Sequence, residues 1–410
     1  MSSDRTDGRE DEDLVLRADH LSVVYDGESP TVAVRDVSLD LRRGEILGIA
    51  GESGCGKSTL AYALMRMLRP PARLTEGTIE FRQRAGAVPI DVGALDGREL
   101  RSFRWSRVSM VFQSAMNALN PVTSLRKQFG DVFKTHAPEM NADEREQRSR
   151  ELLDMVNIDP ARIGSFPHEL SGGMRQRVAI AMALALRPEV VIMDEPTTAL
   201  DVVVQREILD EIESLQEQLG FSIIFITHDL SLLLEISDRL AVMYAGRIVE
   251  YAPSVEVAQA PAHPYTLGLL QSSPELRGTR HKLHGIPGSP PSLHDELPGC
   301  SFAPRCDFAF GPCSGVFADL RRPFGAGPVD HRDDGPAGQW RVACHLHDTT
   351  HRPGGPPLAL AGAGTTARSE APAATTGLAS GRHPGVGDDA GDAGGARPPQ
   401  VQDTIEGEQK

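Results

Sequence analysis

The sequence lacks a long apolar run, since no window approaches the roughly 18 to 20 consecutive apolar residues that a transmembrane helix requires. It also lacks a secretory signal, because residues 1–13 are crowded with acidic side chains where a signal has a basic start and an apolar stretch. These two absences predict a chain that stays in the cytoplasm.

An excess of positive charge is also missing. Lysine and arginine number 42 against 57 aspartate and glutamate residues, for a formal net charge of -15 at pH 7. This balance argues against a sequence-independent grip on nucleic-acid phosphates. Cysteine is scarce too, with five residues in all. In a reducing compartment such cysteines are more typical of free thiols or metal ligands than of disulfides.

The chain alternates short β-rich runs with amphipathic helical stretches over residues 14–255. This alternation predicts an α/β domain on a mainly parallel sheet, and the length of 410 residues leaves room for more than one domain. Strands are expected at 45–50, 190–193 and 222–227, a helix at 205–219, and a hairpin around Ala245 and Gly246.

Three other segments differ in composition. Residues from about 114 to 174 have little strand character and include a charged helix at 143–157, which predicts a helical insertion. Residues 256–350 are richer in Pro, His and Cys and are expected to form a separate small domain. The Gly/Ala/Pro-rich tail at 351–410 and the acidic start at 1–13 are predicted to be disordered.

A phosphate-binding loop follows the first of these strands. Gly51-Glu-Ser-Gly-Cys-Gly-Lys57-Ser58 has two glycines five residues apart and then Lys and Ser. The glycines let successive N–H groups point at phosphate oxygens, and the helix start adds its positive dipole end. Lys57 is expected to reach the β- and γ-phosphates, and the Ser58 hydroxyl to ligate Mg²⁺. A glycine-rich turn that fits the pattern by chance is the alternative.

Two carboxylates end a second apolar strand. Asp194 is expected beside the magnesium ion at the carboxyl edge of the sheet. Glu195 is expected to face elsewhere, because adjacent strand residues alternate sides, and to act as general base on the attacking water. The alternative is a pair of solvated acids before Pro196.

The segment Leu170-Ser-Gly-Gly-Met-Arg-Gln-Arg177 resembles the signature of ABC ATPases. The resemblance implies a P-loop fold with a RecA-like core, a helical subdomain and an antiparallel β subdomain. In the family, the signature of one subunit closes over ATP held by another, and Ser171, Gly172 and Gly173 match the residues whose N–H groups meet the γ-phosphate. The same Ser-Gly-Gly also suits simple capping of the helix that follows.

Other family elements occur in the same order. Gln113 resembles the Q-loop glutamine that senses Mg²⁺, Asp201 the D-loop aspartate, and His228 the switch histidine that touches the γ-phosphate. Tyr25 matches an aromatic that stacks on adenine, although in isolation it reads as a strand residue. The resemblance thus predicts catalytic roles for Lys57, Glu195 and His228. The predicted nucleotide contacts are Tyr25, Gly51, Ser53, Gly54, Cys55, Gly56, Lys57, Ser58, Thr59, Gln113, Ser171, Gly172, Gly173 and Asp201, and the predicted Mg²⁺ ligands are Ser58, Gln113 and Asp194.

A second set of matches narrows the family. Met174 after the signature glycines, Asn120-Pro121 and His263-Pro-Tyr-Thr266 resemble oligopeptide and dipeptide importers. The resemblance implies a peripheral protein on the cytoplasmic face of the membrane. Its implied partners are a second, different ATPase chain, two permease subunits and an extracytoplasmic substrate-binding protein, with no nucleic acid. Similar ATPases serve nickel and glutathione uptake, and soluble ABC ATPases that act on nucleic acid are a further alternative.

Four of the five cysteines, Cys300, Cys306, Cys313 and Cys344, fall in the region that resembles the importer extension. Four thiolates can hold zinc or an iron–sulfur cluster. Some members of the family carry a [4Fe-4S] cluster there, so the resemblance favours iron–sulfur, with Zn²⁺ or unliganded thiols as alternatives. His345 and His347 are spare candidate ligands.

Overall fold

A computed structural model describes residues 13–113, 118–198, 200–272, 285–294, 298–323, 340–352, 355–357 and 360. The disorder expected at 1–13 and 351–410 falls almost entirely outside the described residues. The strands are β1 (Leu14–Tyr25), β2 (Thr31–Arg42), β3 (Ile46–Ala50), β4 (Ala72–Phe81), β5 (Ile90–Asp91), β6 (Val108–Val111), β7 (Val190–Asp194), β8 (Ser222–Ile226), β9 (Arg239–Tyr244), β10 (Arg247–Pro253) and β11 (Arg341–Val342). The α-helices are α1 (Lys57–Leu64), α2 (Gly97–Ser106), α3 (Leu125–His136), α4 (Ala142–Met155), α5 (Gly172–Ala183), α6 (Val202–Leu219), α7 (Leu230–Ile236), α8 (Ser254–Gln259) and α9 (Pro264–Ser272).

The larger sheet has the strand order β11-β10-β9-β3-β8-β7-β6 within the described residues. Every pairing from β9 to β6 is parallel, whereas β10 and β11 are added antiparallel. The expected mainly parallel sheet is confirmed. Because parallel strands end at the same edge of a sheet, the segments that follow β3, β6, β7 and β8 meet there.

The central strands are apolar throughout because both faces of the sheet are covered. In β3, Leu47 and Ile49 pack into one hydrophobic core, and Ile46 and Ala50 pack into the other. One core lies between this sheet and the smaller antiparallel sheet, whose order is β2-β1-β4-β5. The other joins the sheet to the helices between β6 and β7. An antiparallel β subdomain and a helical region therefore flank the parallel core, as the resemblance implies.

The helix boundaries follow from local capping. Helix α6 begins three residues before the predicted 205, because the Asp201 side chain accepts hydrogen bonds from two N–H groups of its first turn. It ends where expected, at Gly220, whose φ of 71° favours glycine. In the helical region, Asn141 and Glu144 form a capping box at the start of α4, and Leu152 and Leu153 are buried.

The C-terminal extension packs on the edge of the same sheet. Strand β11 pairs with β10, and Tyr265 and Phe302 lie in a core that the central sheet shares. The predicted boundary between residues 255 and 256 stays a prediction. Within the described residues, no helix combines the length and apolarity needed to cross a bilayer.

Candidate nucleotide site

The phosphate loop connects β3 to α1 and depends on its glycines. Gly51, Gly54 and Gly56 have φ values of 152°, 79° and 109°, which favour glycine. A Cβ at Gly51 would lie 2.3 Å from the Met243 carbonyl oxygen, and one at Gly56 would lie 2.2 Å from that of Ala33. A Cβ at Gly54 would meet nothing within 4 Å. Packing thus requires two of the glycines, whereas Gly54 faces open space that a ligand can enter.

The Lys57 side chain is folded over this loop. It is 5% exposed, and its Nζ donates to the carbonyl oxygens of Gly51 at 2.7 Å and Glu52 at 3.0 Å. The Cys55 thiol is buried beside it, and burial raises the thiol pKa although the lysine charge opposes the change. A thiol with a raised pKa is a poor nucleophile, which agrees with a packing role for Cys55.

Ser58 and Asp194 meet at the same edge. The Ser58 hydroxyl donates to Asp194 Oδ1 at 3.1 Å, although the two residues lie on α1 and at the end of β7. Asp194 is fully buried, and Oδ2 has no hydrogen-bond partner among the described residues. Burial raises the pKa of this carboxyl, and the charge of Glu195 adds to the rise. A buried carboxylate oxygen without a partner beside a hydroxyl fits Mg²⁺, which prefers oxygen ligands.

Glu195 lies at the centre of a set of polar groups. Its Oε2 accepts hydrogen bonds from Gln113 Nε2 and Thr198 Oγ1, both at 3.0 Å. Its Oε1 lies 3.4 Å from His228 Nδ1. The structure therefore brings together Gln113, Glu195 and His228, which the sequence predicts to act on one nucleotide.

The side chains of Asp194 and Glu195 point in different directions, but strand alternation, the expected reason, is not the cause. Strand β7 ends at Asp194, and Glu195 has a left-handed φ of 46°. The chain therefore turns at Glu195 instead of continuing the alternation of a strand. A positive φ is uncommon in a glutamate and marks local strain of the kind that clusters at functional sites.

The signature segment lies at the start of α5, in the helical region. Ser171 caps this helix, and its Oγ accepts from the Met174 N–H at 3.2 Å. A Cβ at Gly173 would lie 2.7 Å from Val204 of α6, so this glycine permits close helix packing. The Asp201 carboxylate caps α6. Among the described residues, no hydrogen bond joins Ser171 or Asp201 to the phosphate loop, so their contact with ATP stays a prediction.

Tyr25 is the last residue of β1 and lies next to the helix that follows the phosphate loop. Its hydroxyl lies 3.1 Å from Thr59 Oγ1 on α1, so the tyrosine and the phosphate-loop helix are in direct contact. Stacking of the ring on adenine stays a prediction.

The extension touches the phosphate loop, which the sequence did not predict. Arg305 forms a bidentate ion pair with Glu52, with N···O distances of 2.7 and 2.9 Å. The Glu52 N–H donates to the Tyr265 hydroxyl at 2.8 Å. Residues 290–294 and the loop also line a cavity of about 450 Å³. The extension is therefore part of the wall around the loop. The only sequence signal for this contact was Arg305 itself, directly before Cys306. Its partner Glu52 lies 253 positions away, so the pairing could not be predicted.

The cysteines of the extension lie in one neighbourhood. The Cys300 N–H donates to the Cys313 carbonyl at 2.8 Å. Burial raises the pKa of Cys306 to about 11 and raises that of Cys300 and Cys344, and charge on neighbouring cysteines adds to each rise. In the part of the chain that is described, no three of the four sulfur atoms lie within 4.8 Å of one another.

The family comparisons cover both parts of the chain. Residues 34–198 match the ABC transporter family, and residues 249–313 match the oligopeptide/dipeptide transporter C-terminal region. A probable peptide ABC transporter ATP-binding protein of Sinorhizobium fredii is 44% identical over 73% of this chain and 89% of its own length. The dipeptide transport ATP-binding protein of Bacillus subtilis is 41% identical over 74% of this chain and 90% of its own length.

Solved structures of ABC transporter proteins resemble the fold of this chain. A dimeric ATP-binding cassette in a post-hydrolysis state with ADP and Pi is 28% identical, with a TM-score of 0.51 over 58% of this chain and 98% of that one. A cassette of an ABC transporter complex from Clostridium perfringens is 31% identical, also with a TM-score of 0.51, over 60% and 91% of the two chains. The sheet, the phosphate loop and the polar groups at its edge define an ATP-hydrolysing cassette. The chain belongs to the ABC transporter family of ATP-binding proteins, in the group with the oligopeptide/dipeptide transporter C-terminal region.

Proposed function

We propose that this chain binds ATP with Mg²⁺ and hydrolyses it to power the import of peptides through a membrane transporter. The catalytic part of the proposal rests on one observation. Gln113, Glu195 and His228 meet at the same edge of the sheet as the phosphate loop. The peptide cargo is supported by the relatives, which are named as peptide and dipeptide transport proteins, and by the matching C-terminal region.

In the proposed mechanism, the N–H groups of residues 51–56 cradle the phosphates. When ATP binds, Lys57 Nζ donates to β- and γ-phosphate oxygens instead of the carbonyl oxygens of Gly51 and Glu52. Ser58 and the unpaired Oδ2 of Asp194 would hold Mg²⁺, with Gln113 as a further ligand. Bound Mg²⁺ would neutralise charge on the β- and γ-phosphates.

Glu195 accepts a proton from the water that attacks the γ-phosphate. Gln113 and Thr198 hold one oxygen of the carboxylate, which leaves the other oxygen directed toward His228. His228 is exposed, with 57% of its side chain accessible, so it can reach a bound γ-phosphate as well as the carboxylate. The imidazole thereby orients the base against the reacting phosphate.

The site is completed by a second ATPase chain. Ser171, Gly172 and Gly173 lie at a helix start without a bond to their own phosphate loop among the described residues, and N–H groups at a helix start bind anions. We infer that they close over the nucleotide of the partner, with Asp201 at the contact. The helical region would dock on two permease subunits at the cytoplasmic face of the membrane, and a substrate-binding protein would deliver the peptide.

Uptake of labelled di- and tripeptides tests this function in the native host. Deletion of the gene should abolish uptake, the wild-type chain should restore it, and Lys57→Ala should not, because the phosphates lose their main cation. Purified Lys57→Ala should also bind ATP at least about 10-fold more weakly, whereas Lys127→Ala, an exposed lysine elsewhere, should bind normally. Normal peptide uptake with Lys57→Ala would refute the proposal.

We also propose that Cys300, Cys306, Cys313 and Cys344 hold a [4Fe-4S] cluster. A tetrahedral zinc site with Zn–S bonds of about 2.3 Å would need sulfur atoms about 3.8 Å apart. Each of four thiolates can bind a different iron atom of a cluster, and the backbone hydrogen bond between Cys300 and Cys313 places two of the four close together. A cluster would also supply the positive charge that these buried thiols need in order to ionise.

Iron analysis tests the cluster. Protein purified without oxygen should contain about four iron atoms and four sulfides per chain, as one such cluster does. It should also show a broad absorption band in the visible range. Cys306→Ala should lose both, and Cys55→Ala should retain them because Cys55 lies in the phosphate loop. Protein without iron whose stoichiometric zinc is lost in Cys306→Ala would overturn this assignment.

A further inference from the structure

A group of metal-ligand side chains lies beyond the four cysteines, in the turn that follows Cys344. His345, Asp348 and His351 each offer a ligand atom, and these atoms all lie within 4.8 Å of one another. The residues are spaced three apart along a 3-10 turn and the bend that follows it. In the part of the chain that is described, no cysteine sulfur belongs to this group, although Cys344 directly precedes His345.

His345 provides the decisive observation. The residue is 4% exposed, and its Nε2 lies 2.8 Å from the Val316 carbonyl oxygen. Because a carbonyl only accepts, Nε2 donates this hydrogen bond, and Nδ1 is the ring nitrogen left for another partner. Nδ1 is buried and has no hydrogen-bond partner among the described residues. A histidine that donates one ring nitrogen to a carbonyl and keeps the other free has the arrangement found at metal sites.

Asp348 is oriented by its neighbours. Its Oδ1 accepts hydrogen bonds from the Thr350 N–H at 2.9 Å and the Thr350 hydroxyl at 2.6 Å. Its Oδ2 pairs with Arg321 at 2.9 Å and lies 3.9 Å from His351 Nε2. Hydrogen bonds to a ligating carboxylate fix its direction. The Arg321 charge opposes a nearby cation, so the site should bind a metal less tightly than the same ligands would without it.

A purely structural ion pair explains the group less well. The separation of 3.9 Å between His351 and Asp348 is too long for a hydrogen bond. Such a pair would also leave His345 Nδ1 buried without a partner, which costs free energy. A cation held by all three residues accounts for both features.

We propose that His345, Asp348 and His351 bind one Zn²⁺ ion. Two imidazole nitrogens and one carboxylate oxygen are donors that zinc accepts, and three protein ligands leave a fourth position for water or another ligand. His351 is 42% exposed, so the ion can enter from solvent. The metal would tie residues 345–351 to the segment that carries Val316 and Arg321.

Zinc binding to the purified full chain tests the site. The chain should be titrated with Zn²⁺ against a chromophoric chelator, and its metal content measured after gel filtration. His351→Ala should lose one bound zinc and bind that ion at least about 100-fold more weakly, because even outer-shell partners are worth 10 to 100-fold in affinity. Asp348→Asn should show the same loss. His20→Asn, which removes a surface histidine paired with Asp36, should bind as the wild type does.

Three measurements separate this site from the cysteines. Iron and sulfide contents should be unchanged in His351→Ala, and the zinc that depends on His351 should persist in Cys306→Ala. Co²⁺ bound at the site should give weak visible bands without the intense near-ultraviolet absorption of cobalt–thiolate bonds. Zinc should also raise the melting temperature of the wild type and not that of His351→Ala. Equal zinc content and affinity in the wild type, His351→Ala and Asp348→Asn would overturn the proposal.

Discussion

Replacing Glu195 with Gln should lower the rate of ATP hydrolysis by about 100- to 10,000-fold, the usual contribution of a general base. The amide has the size of the carboxylate. Its one oxygen can still accept from Gln113 and Thr198, while its NH2 group faces His228 Nδ1. It cannot accept the proton of the attacking water. Binding should be little changed, because the phosphate loop and Lys57 are intact.

Steady-state phosphate release and the ATP dissociation constant, measured on the same preparation, check this prediction. The variant should accumulate bound ATP and, with its partner ATPase chain, a stable closed assembly. Glu207→Gln is the matched control: this glutamate lies on the exposed face of α6 and pairs with Arg177 at 3.2 Å. Its turnover should equal that of the wild type. Full turnover with Glu195→Gln would show that another group activates the water.

Replacing Arg239 with Met should lower the free energy of unfolding by about 3 to 5 kcal/mol, the cost of removing one partner from a buried ion pair. Arg239 is 5% exposed and pairs with Asp40 at 3.0 Å and Glu45 at 2.8 Å. Its guanidinium also lies over the Tyr251 ring, 5.1 Å from the centroid. The variant would leave two buried carboxylates without their main cation.

Denaturant unfolding of the purified chain measures the loss. Arg206→Met is the control, because Arg206 pairs with Asp210 and Glu235 at the surface with about half of its side chain exposed. Pairs of that kind contribute about 0 to 1 kcal/mol. Equal losses in the two variants would mean that the buried network contributes no more than surface charge.

The difference between wild type and Arg239→Met should shrink in acid. Burial alone would raise the pKa of Asp40, but Arg239 and Arg341 outweigh burial and lower it. A carboxyl with a lowered pKa contributes stability above its unfolded value, near 3.9, and loses it as the pH falls through the folded value. Without Arg239 the contribution of ionised Asp40 to stability is already reduced at neutral pH. Protonation of Asp40 in acid therefore lowers the stability of the variant less than that of the wild type.

Much of the catalytic edge could be predicted from local sequence. Lys57 and Ser58 follow a glycine-rich turn, Asp194 is the last residue of β7, and His228 lies two residues after β8. The parallel sheet brings those strand ends together. The left-handed turn at Glu195 was missed because no glycine or asparagine marks it.

Contacts between distant segments could not be predicted in the same way. Arg239 meets Asp40 and Glu45 across 199 and 194 positions, and Arg305 meets Glu52 across 253. A charged side chain in a sequence does not reveal whether it will be solvated or paired in the interior. The separate small domain expected after residue 255 likewise did not anticipate the pairing of β11 with β10.

The sequence by itself determined the local motifs: a glycine-rich loop that can bind phosphate, an acidic pair after an apolar strand, and a segment that matches the ABC signature. These features are local, because turn geometry and strand patterning depend on neighbouring residues. Only the tertiary structure decided that the extension contacts the phosphate loop through Arg305 and Tyr265, and that the buried Nδ1 of His345 has no hydrogen-bond partner among the described residues. Burial and pairing at long range depend on how the whole chain packs.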